Sequence, residues 1–332
     1  MKHESFSGAF RTAAHALAAL SLAAGCTIAT AAESYPTRPI RLVNPYTPGG
    51  SVDFFCRTVA QKASESLGQR VIVDNRPGAG TNIGTEIVVR AQPDGYTLLC
   101  NSSAIAINPT LYGKLPFDPV KELTTVAFVS QSPVLLVVYP GLPAKSVREL
   151  LDLARAKPGE LRFASSGIGS TIHLALEQFK YMAKVDITHV PYKGGGQSMI
   201  DLIGGQVQGV FQTLPTVGAH LKSGKLRAIA MATAKRSEFA PELPTIAEGG
   251  VPGFDASVWY AVFAPRAVDA RIVEKWNSEI NRMLKLPEVK ELFAANGMSP
   301  MGGTVRESNE LFAREVKRWS GVIKAAKITM EQ

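Results

Sequence analysis

Apolar runs of β-like composition alternate with amphipathic stretches of helical period along most of this chain, and that alternation constrains its fold more than any other feature. "IRLVN" precedes a helical pattern over 52–67, in which Val52, Phe55, Val59, Ala60, Ala63 and Leu67 recur on one face and Gly68 supplies the stop. "RVIVD" follows, then "NRPGAG", a helix near 82–91, the turn "PDGY" and the strand "TLLCN". This strand–helix order predicts an α/β unit on a largely parallel sheet.

A second α/β series follows "VLLVVYPGLP". Ser146-Val147-Arg148-Glu149 has the capping-box form at a helix head, and "LRFAS" reads as a strand running into "SGIGS". From Thr171 the chain is helical again, with Ile172, Ala175, Leu176, Phe179 and Met182 on one face. "DITHV", the loop "PYKGGG", a helix over 197–203, "GVFQT", a helix over 216–223 and "LRAIAMA" complete the series. After one more strand, "ASVWYAVFAP", helices are expected near 269–285, 287–296 and 305–324, the last opened by the capping box Thr304–Glu307. They have no strands of their own, so they are expected to pack on the first domain. The expected organisation is a leader over 1–32, a discontinuous first domain over 33–132 and 254–332, and a second domain over 133–253.

The leader reading rests on Lys2 and Arg11, the short apolar run "AAHALAALSLAAG" and an A-x-A type site at Ala29-Thr30-Ala31. The run is shorter than a membrane span, so export to the periplasm with cleavage near Ala31 or Ala32 is expected. Lipid attachment at Cys26 is the alternative, disfavoured because Leu22 lies one position too far away. Two cysteines then remain, Cys56 and Cys100, either paired or buried as small hydrophobes. At 332 residues, 45% hydrophobic and 19% charged, the chain has core material for one large or two ordinary domains. A net charge of +8 favours anions in general, but the basic residues are scattered, and no nucleic-acid partner is expected.

The chemical motifs mostly exclude. "GAGTNIG" departs from the dinucleotide fingerprint, being separated from its strand by Asn75-Arg76-Pro77 and lacking a placed acid downstream. Neither Gly113-Lys114 nor Gly224-Lys225 continues into Ser or Thr, so there is no Walker A motif. There is no G-x-S-x-G elbow, and outside the leader the histidines are His173, His189 and His220. His173 and Glu177 have a metal-ligating helical spacing but no third ligand nearby in sequence, which reads as a helix surface contact; no metal and no cofactor is expected.

What stands out is a pair of matching loops. "TPGGSVD" opens the first helix of the first unit and "SSGIGST" opens a helix of the second, each with Ser at the expected N-cap. Each offers free backbone N–H groups, yet each alone is also consistent with a tight turn. One exposed helix N-terminus favours an anion by about 0.3–1 kcal/mol, whereas micromolar binding needs about 8 kcal/mol. Several charge-assisted hydrogen bonds of roughly 1.5–3 kcal/mol, made in a closed cleft, reach that sum.

At these residues the sequence resembles a known family. "YPTRPIRLVNPYTPGGSVDFFCR", "GQRVIVDNRPGAGTNIGTEIVVRAQPDGYTLL", "AINPTLYGKLPFDP", "ASSGIGSTIHLALEQF", "VPYKGGGQSMIDLIGGQVQGVF" and "LPTIAEGGVPGFDASVWYAVFAP" together resemble the Bug family, the periplasmic receptors of tripartite tricarboxylate transporters. The resemblance implies an α/β, two-domain type II periplasmic-binding-protein fold that closes on a small organic carboxylate, without catalysis, for delivery to membrane permease subunits. It also implies that backbone amides, hydroxyls and water hold the carboxylate. Carried onto this chain, the ligand-binding residues are Tyr46, Thr47, Pro48, Gly49, Gly50, Ser51 and Asp53, with Ser103. The second domain would add Ser165, Ser166, Gly167, Gly169, Ser170, Tyr192, Lys193, Gly194 and Gln212. Asp53 has a second reading of equal weight, complementing the helix dipole. The family often has Asp where this chain has Gln208 and Gln212. A neutral Gln212 implies a ligand without an amino group: a dicarboxylate, tricarboxylate or aromatic acid. A monomer is expected; a receptor feeding a signalling partner and an exported carboxylate-processing enzyme are the rival readings.

Overall fold

The computed structural model describes residues 35–237 and 240–330. The leader, its cleavage region and Cys26 lie outside the described residues. From Arg38 onward the chain folds as one unit. Its strands are β1 (Ile40–Asn44), β2 (Val71–Asn75), β3 (Thr97–Ser102), β4 (Leu123–Val138), β5 (Arg162–Ser165), β6 (Thr188–Pro191), β7 (Gly209–Thr213), β8 (Arg227–Met231), β9 (Ser257–Pro265) and β10 (Ser299–Pro300). Its helices are α1 (Ser51–Leu67), α2 (Asn82–Val89), α3 (Ala104–Leu111), α4 (Pro119–Glu122), α5 (Val147–Ala156), α6 (Thr171–Ala183), α7 (Gly195–Ile203), α8 (Leu214–Lys222), α9 (Ala270–Met283), α10 (Pro287–Ala295) and α11 (Val305–Ala326).

The strands fall into two halves. β2, β1 and β3 are parallel neighbours, as are β6, β5 and β7. Between them run the long β4 and β9, which pair antiparallel to each other, so the sheet is mixed where the sequence pattern predicts mainly parallel pairing. β4 serves both halves: up to Pro133 it pairs with β9, and Val134–Val138 pair with β7 and β8. The sequence reading missed this continuity, because Gln131-Ser132-Pro133 interrupts the apolar run.

The last helix, α11, packs on the β3–β9 half. Phe312, Trp319 and Ile323 of α11 lie in one core with Phe128, Trp259 and Phe263, and the Trp259 indole donates to Glu315 at 2.9 Å. A tilted Phe128–Trp259 pair and an edge-on Phe263–Phe312 pair fix the ring orientations. Thr304 and Glu307 form the full capping box at the head of α11. At α5 only half of it forms: Ser146 accepts from Glu149 N–H, but the Glu149 carboxylate turns to Lys145 N–H.

Candidate functional site

Helix N-termini from both halves meet around one small cavity of about 30 Å³. α1 begins after Gly50, α6 after Ser170, α7 after Gly194 and α8 after Thr213. Gly50, Ser170, Gly195 and Thr213 all line the cavity, so unfilled backbone N–H groups of several helices face one small volume. The strands explain the convergence: Ser102 ends β3 and Thr213 ends β7, and in open α/β sheets ligands bind beyond the carboxyl ends of strands.

The rest of the lining is hydroxyl-rich with an apolar strip. Tyr46, Ser51, Ser102 and Tyr260 come from the first half, Ser166, Thr171 and Thr216 from the second, and Val52, Ile172 and Val258 supply the apolar surface. Among the described residues, none of the side chains lining the cavity is charged. The Tyr46 and Ser102 hydroxyls are 2.9 Å apart, and burial pushes the Tyr46 phenol well above its ordinary range. Burial likewise pushes Tyr260 up to about 12, opposed by the neighbouring Ser51 and Thr213. Both phenols therefore stay neutral and can donate hydrogen bonds at any physiological pH.

Gln212 is the most informative lining residue. Its Oε1 accepts from Thr213 N–H at 3.0 Å, which orients the amide and leaves Nε2 as the group turned away. Nε2 is buried and has no hydrogen-bond partner among the described residues. The buried Thr216 hydroxyl is in the same position. A buried donor without an acceptor costs roughly 1–3 kcal/mol, so a hydrogen-bond acceptor set against this wall would relieve that cost.

The structure places the other expected site residues as follows. Tyr46, Gly50, Ser51, Ser166, Ser170 and Gln212 line the cavity. Thr47, Pro48 and Gly49 line a neighbouring opening together with Lys193, and Gly167, Tyr192 and Lys193 line another. Gly194 is the N-cap of α7 and faces Thr47: a Cβ there would lie 2.2 Å from Thr47 Oγ1. The Tyr192 hydroxyl donates to Asp201 at 2.6 Å, and burial together with that carboxylate pushes its pKa up to about 12. Ser103 joins the two halves, its hydroxyl 2.6 Å from that of Thr171. Ser165 is buried beneath its loop, where it accepts from Gly167 N–H at 3.0 Å. Gly169 packs with Asn108 of α3 and with Tyr112, the residue that caps that helix.

Asp53 fits its structural reading. It lies outside the lining and accepts from Arg57 at 2.8 Å, Gly49 N–H at 3.2 Å, Asn75 at 3.2 Å and Asn44 at 3.3 Å. Burial alone would raise its pKa, but the bonds from Arg57, Asn75 and Gly49 outweigh that and hold the carboxyl below its ordinary range. The expected N-cap of α1 shifts by one residue: Gly50 is the cap, and Ser51 opens the first turn.

Sequence reasoning missed Ser102, Thr171, Gly195, Thr213, Thr216 and Tyr260. Ser102 and Thr213 carried a usable signal, since each is a small polar residue between a strand and a helix. Tyr260 lies within the strand β9 and carried none. His173 also differs from its expectation. It is fully buried, not a helix surface residue, and His189 joins it and Glu177 as a third member of one cluster. Cys56 and Cys100 are both free and buried, the smaller-hydrophobe alternative.

Comparisons with known proteins agree with this geometry. The family model described as "Tripartite tricarboxylate transporter family receptor" matches residues 55–328. Protein BugT of Bordetella pertussis is 40% identical over 303 residues, covering 91% of this chain and 93% of that protein. A structure of R. palustris Rpa4515 with adipate superposes with a TM-score of 0.86 at 37% identity, covering 89% of this chain and 99% of that one. The malate-bound MatC of Rhodopseudomonas palustris gives a TM-score of 0.82 at 30% identity, covering 87% and 100%. The chain belongs to the receptor family of the tripartite tricarboxylate transporters, and its α/β architecture is the two-lobed periplasmic-binding-protein fold that the resemblance implied.

Proposed function

We propose that this protein is a periplasmic receptor that captures a small carboxylate between its lobes and delivers it to the membrane permease of a tripartite tricarboxylate transporter, with no chemical step of its own. The observation that carries the reading is the Gln212 amide, fixed as a buried donor in a cavity walled by helix N-termini and neutral hydroxyls. Three or four charge-assisted bonds from such donors, at roughly 1.5–3 kcal/mol each, reach the micromolar range of about 8 kcal/mol without an arginine clamp. The adipate and malate in the two related structures support a carboxylate here.

The cavity offers no acid to hold a ligand ammonium. We therefore assign a ligand without an amino group, with Val52, Ile172 and Val258 beside its carbon chain. The lobes are proposed to be 33–132 with 254–332, and 133–253, the chain crossing between them within β4 and ahead of β9. Binding energy then stabilises the closed form, which the permease can tell from the open one. Export by the leader over 1–32 and action as a monomer complete the reading. No helix among the described residues is long and apolar enough to cross a membrane.

A thermal-shift screen of purified protein against adipate, malate and other carboxylates tests this. Ligand about 100-fold above its dissociation constant adds about 2.7 kcal/mol of stability. The expected outcome is a shift with at least one carboxylate, lost in Gln212→Glu, where like charges face each other. Silence with every carboxylate, or aspartate binding far more tightly than its des-amino counterpart succinate, would sink the assignment.

A further inference from the structure

Behind the second glycine loop, Ser165–Ser170, the structure gathers His173, Glu177 and Lys180 of α6 with His189 of β6. The two imidazole rings stack with centroids 4.3 Å apart, and ligating atoms of both histidines and Glu177 lie within 4.8 Å of one another. The cluster grips the loop at both ends. Ser165 Oγ, which accepts from Gly167 N–H, lies 2.6 Å from His189 Nε2, a hydrogen bond whose donor follows the tautomer of the ring. At the other end Ser170 Oγ accepts from His173 N–H at 3.1 Å, while His173 Nδ1 accepts from Gly169 N–H at 3.3 Å. This is close to the reciprocal pattern of a capping box, with imidazole in place of the usual carboxylate.

Two other uses of the cluster fail on chemistry. A metal needs a lone pair from His173, but Gly169 N–H occupies Nδ1, which puts the proton of the neutral ring on Nε2. The Lys180 ammonium, 2.9 Å from Glu177, already fills the place of a cation. Ser165 and His189 have the contact of a nucleophile and its base, yet Ser165 is fully buried and outside the cavity wall.

We propose that His173 is a positioning residue: its neutral imidazole holds the second ligand loop in binding shape, and its protonation releases Gly169 and weakens ligand capture in acid. The proposal rests on Ser165–Ser170 being a ligand loop. A protonated imidazole donates from both nitrogens, so Nδ1–H would face Gly169 N–H, donor against donor. Ser165 can turn its hydroxyl and accept from a protonated His189. A backbone amide cannot turn, so the release belongs to His173.

The charged and titratable groups set against the cluster act in both directions. The Glu177 carboxyl, raised by burial against the pull of Lys180, favours a proton on His173 when ionised. Lys180 and a protonated His189 oppose it. Tyr112, just past the end of α3, approaches the same loop and donates to Ile168 C=O at 3.3 Å. The bound state needs neutral His173, so protons compete with ligand and affinity falls as pH falls.

The test is calorimetric titration of adipate at about pH 7.5 and about pH 5.5 into wild type, His173→Asn and His173→Leu. Asn offers a carbonyl oxygen near the place of Nδ1 and does not titrate. Wild type should lose more affinity than His173→Asn across that range, and His173→Leu should bind weakly at both pH values. Comparing variants on one ligand cancels the ionisation of adipate itself. Equal pH dependence in wild type and His173→Asn overturns the proposal. A ligand-free readout separates it from the reading it rests on: the Gly169 amide resonance should follow the His173 titration. A flat Gly169 resonance sinks the brace; a titrating one beside silence from every carboxylate sinks the ligand-loop reading and leaves the brace standing.

Discussion

The two cradles at the ends of the cavity are built alike and anchored differently. In each, a glycine with positive φ precedes the N-cap, Gly49 at +87° and Gly169 at +81°. In each, the third residue of the helix reaches back to accept that glycine's N–H, Asp53 in the first lobe and His173 in the second. The first acceptor is a carboxylate held ionised by Arg57; the second is a ring that is neutral when it performs the task. The difference decides what remains for a ligand. Asp53 places a negative charge at the start of α1 and uses up Gly49 N–H, so part of that terminus is already satisfied. His173 adds no charge, so the electrostatic pull of α6 is intact. If both loops hold the ligand as proposed, the second lobe should be the stronger anion cradle and the first the more rigid one over pH.

The largest expected effect comes from preventing the cradles from meeting. Gly196, in the first turn of α7, faces the first loop so closely that a Cβ would lie 2.7 Å from Pro48 C=O, a backbone atom that cannot rotate aside. Gly196→Val should weaken carboxylate binding about 100-fold, or about 2.7 kcal/mol. Valine is no worse a helix former than glycine, so the Tm of the ligand-free protein should hold. Binding that survives this substitution would mean the lobes do not need to close this far. Gly50 is a milder site, because a Cβ there would meet Gly195 N at 3.8 Å, an ordinary contact.

Removing the charge from the first cradle is the next test. Asp53→Asn keeps the shape but loses the ion pair and the charge-assisted bonds, and should lower unfolding free energy by about 1–3 kcal/mol in neutral solution. The sign with pH follows from the depressed pKa of Asp53. Its contribution is fully present above the unfolded carboxyl value of about 3.9 and is lost as pH falls through the lower folded value. Denaturant melts of wild type and Asp53→Asn should therefore differ at neutral pH and converge in strong acid. A constant gap at every pH would mean that the charge is not what anchors the first loop. In mildly acidic solution only the second cradle should loosen, which makes the two anchors separable by pH alone.

How much of this was legible follows from where each residue gets its role. Helical period and glycine punctuation located α1, α6 and both loops, because those signals are local. The long β4 was hidden, since a strand that serves two halves of a sheet is specified by its partners β9, β7 and β8, and Pro133 reads as a break when seen alone. Gln212 was found through resemblance, yet the orientation of its amide depends on Thr213 N–H and is visible only in three dimensions. Tyr260 and His189 were illegible for the same reason. Each sits in a strand like any core residue, and its role comes from neighbours tens of positions away.

The smallest expected effect concerns the joint between the cradles. Ser103, at the head of α3, and Thr171, the first residue of α6, place their hydroxyls 2.6 Å apart with both residues buried. A bond of this kind contributes about 0.5–1.5 kcal/mol, so Ser103→Ala should weaken ligand binding by roughly threefold to tenfold. Thr171→Val should cost a similar amount, because either change leaves the partner hydroxyl buried without its bond. If the contact acts as one unit, the double variant should bind about as well as either single one, and the cycle should return a coupling of about 0.5 kcal/mol or more. Full additivity would show that the lobes meet here without holding each other. Closure would then rest on the ligand and on the other contacts across the cleft, among them those at Gly194 and Gly196 and the Tyr112–Ile168 hydrogen bond.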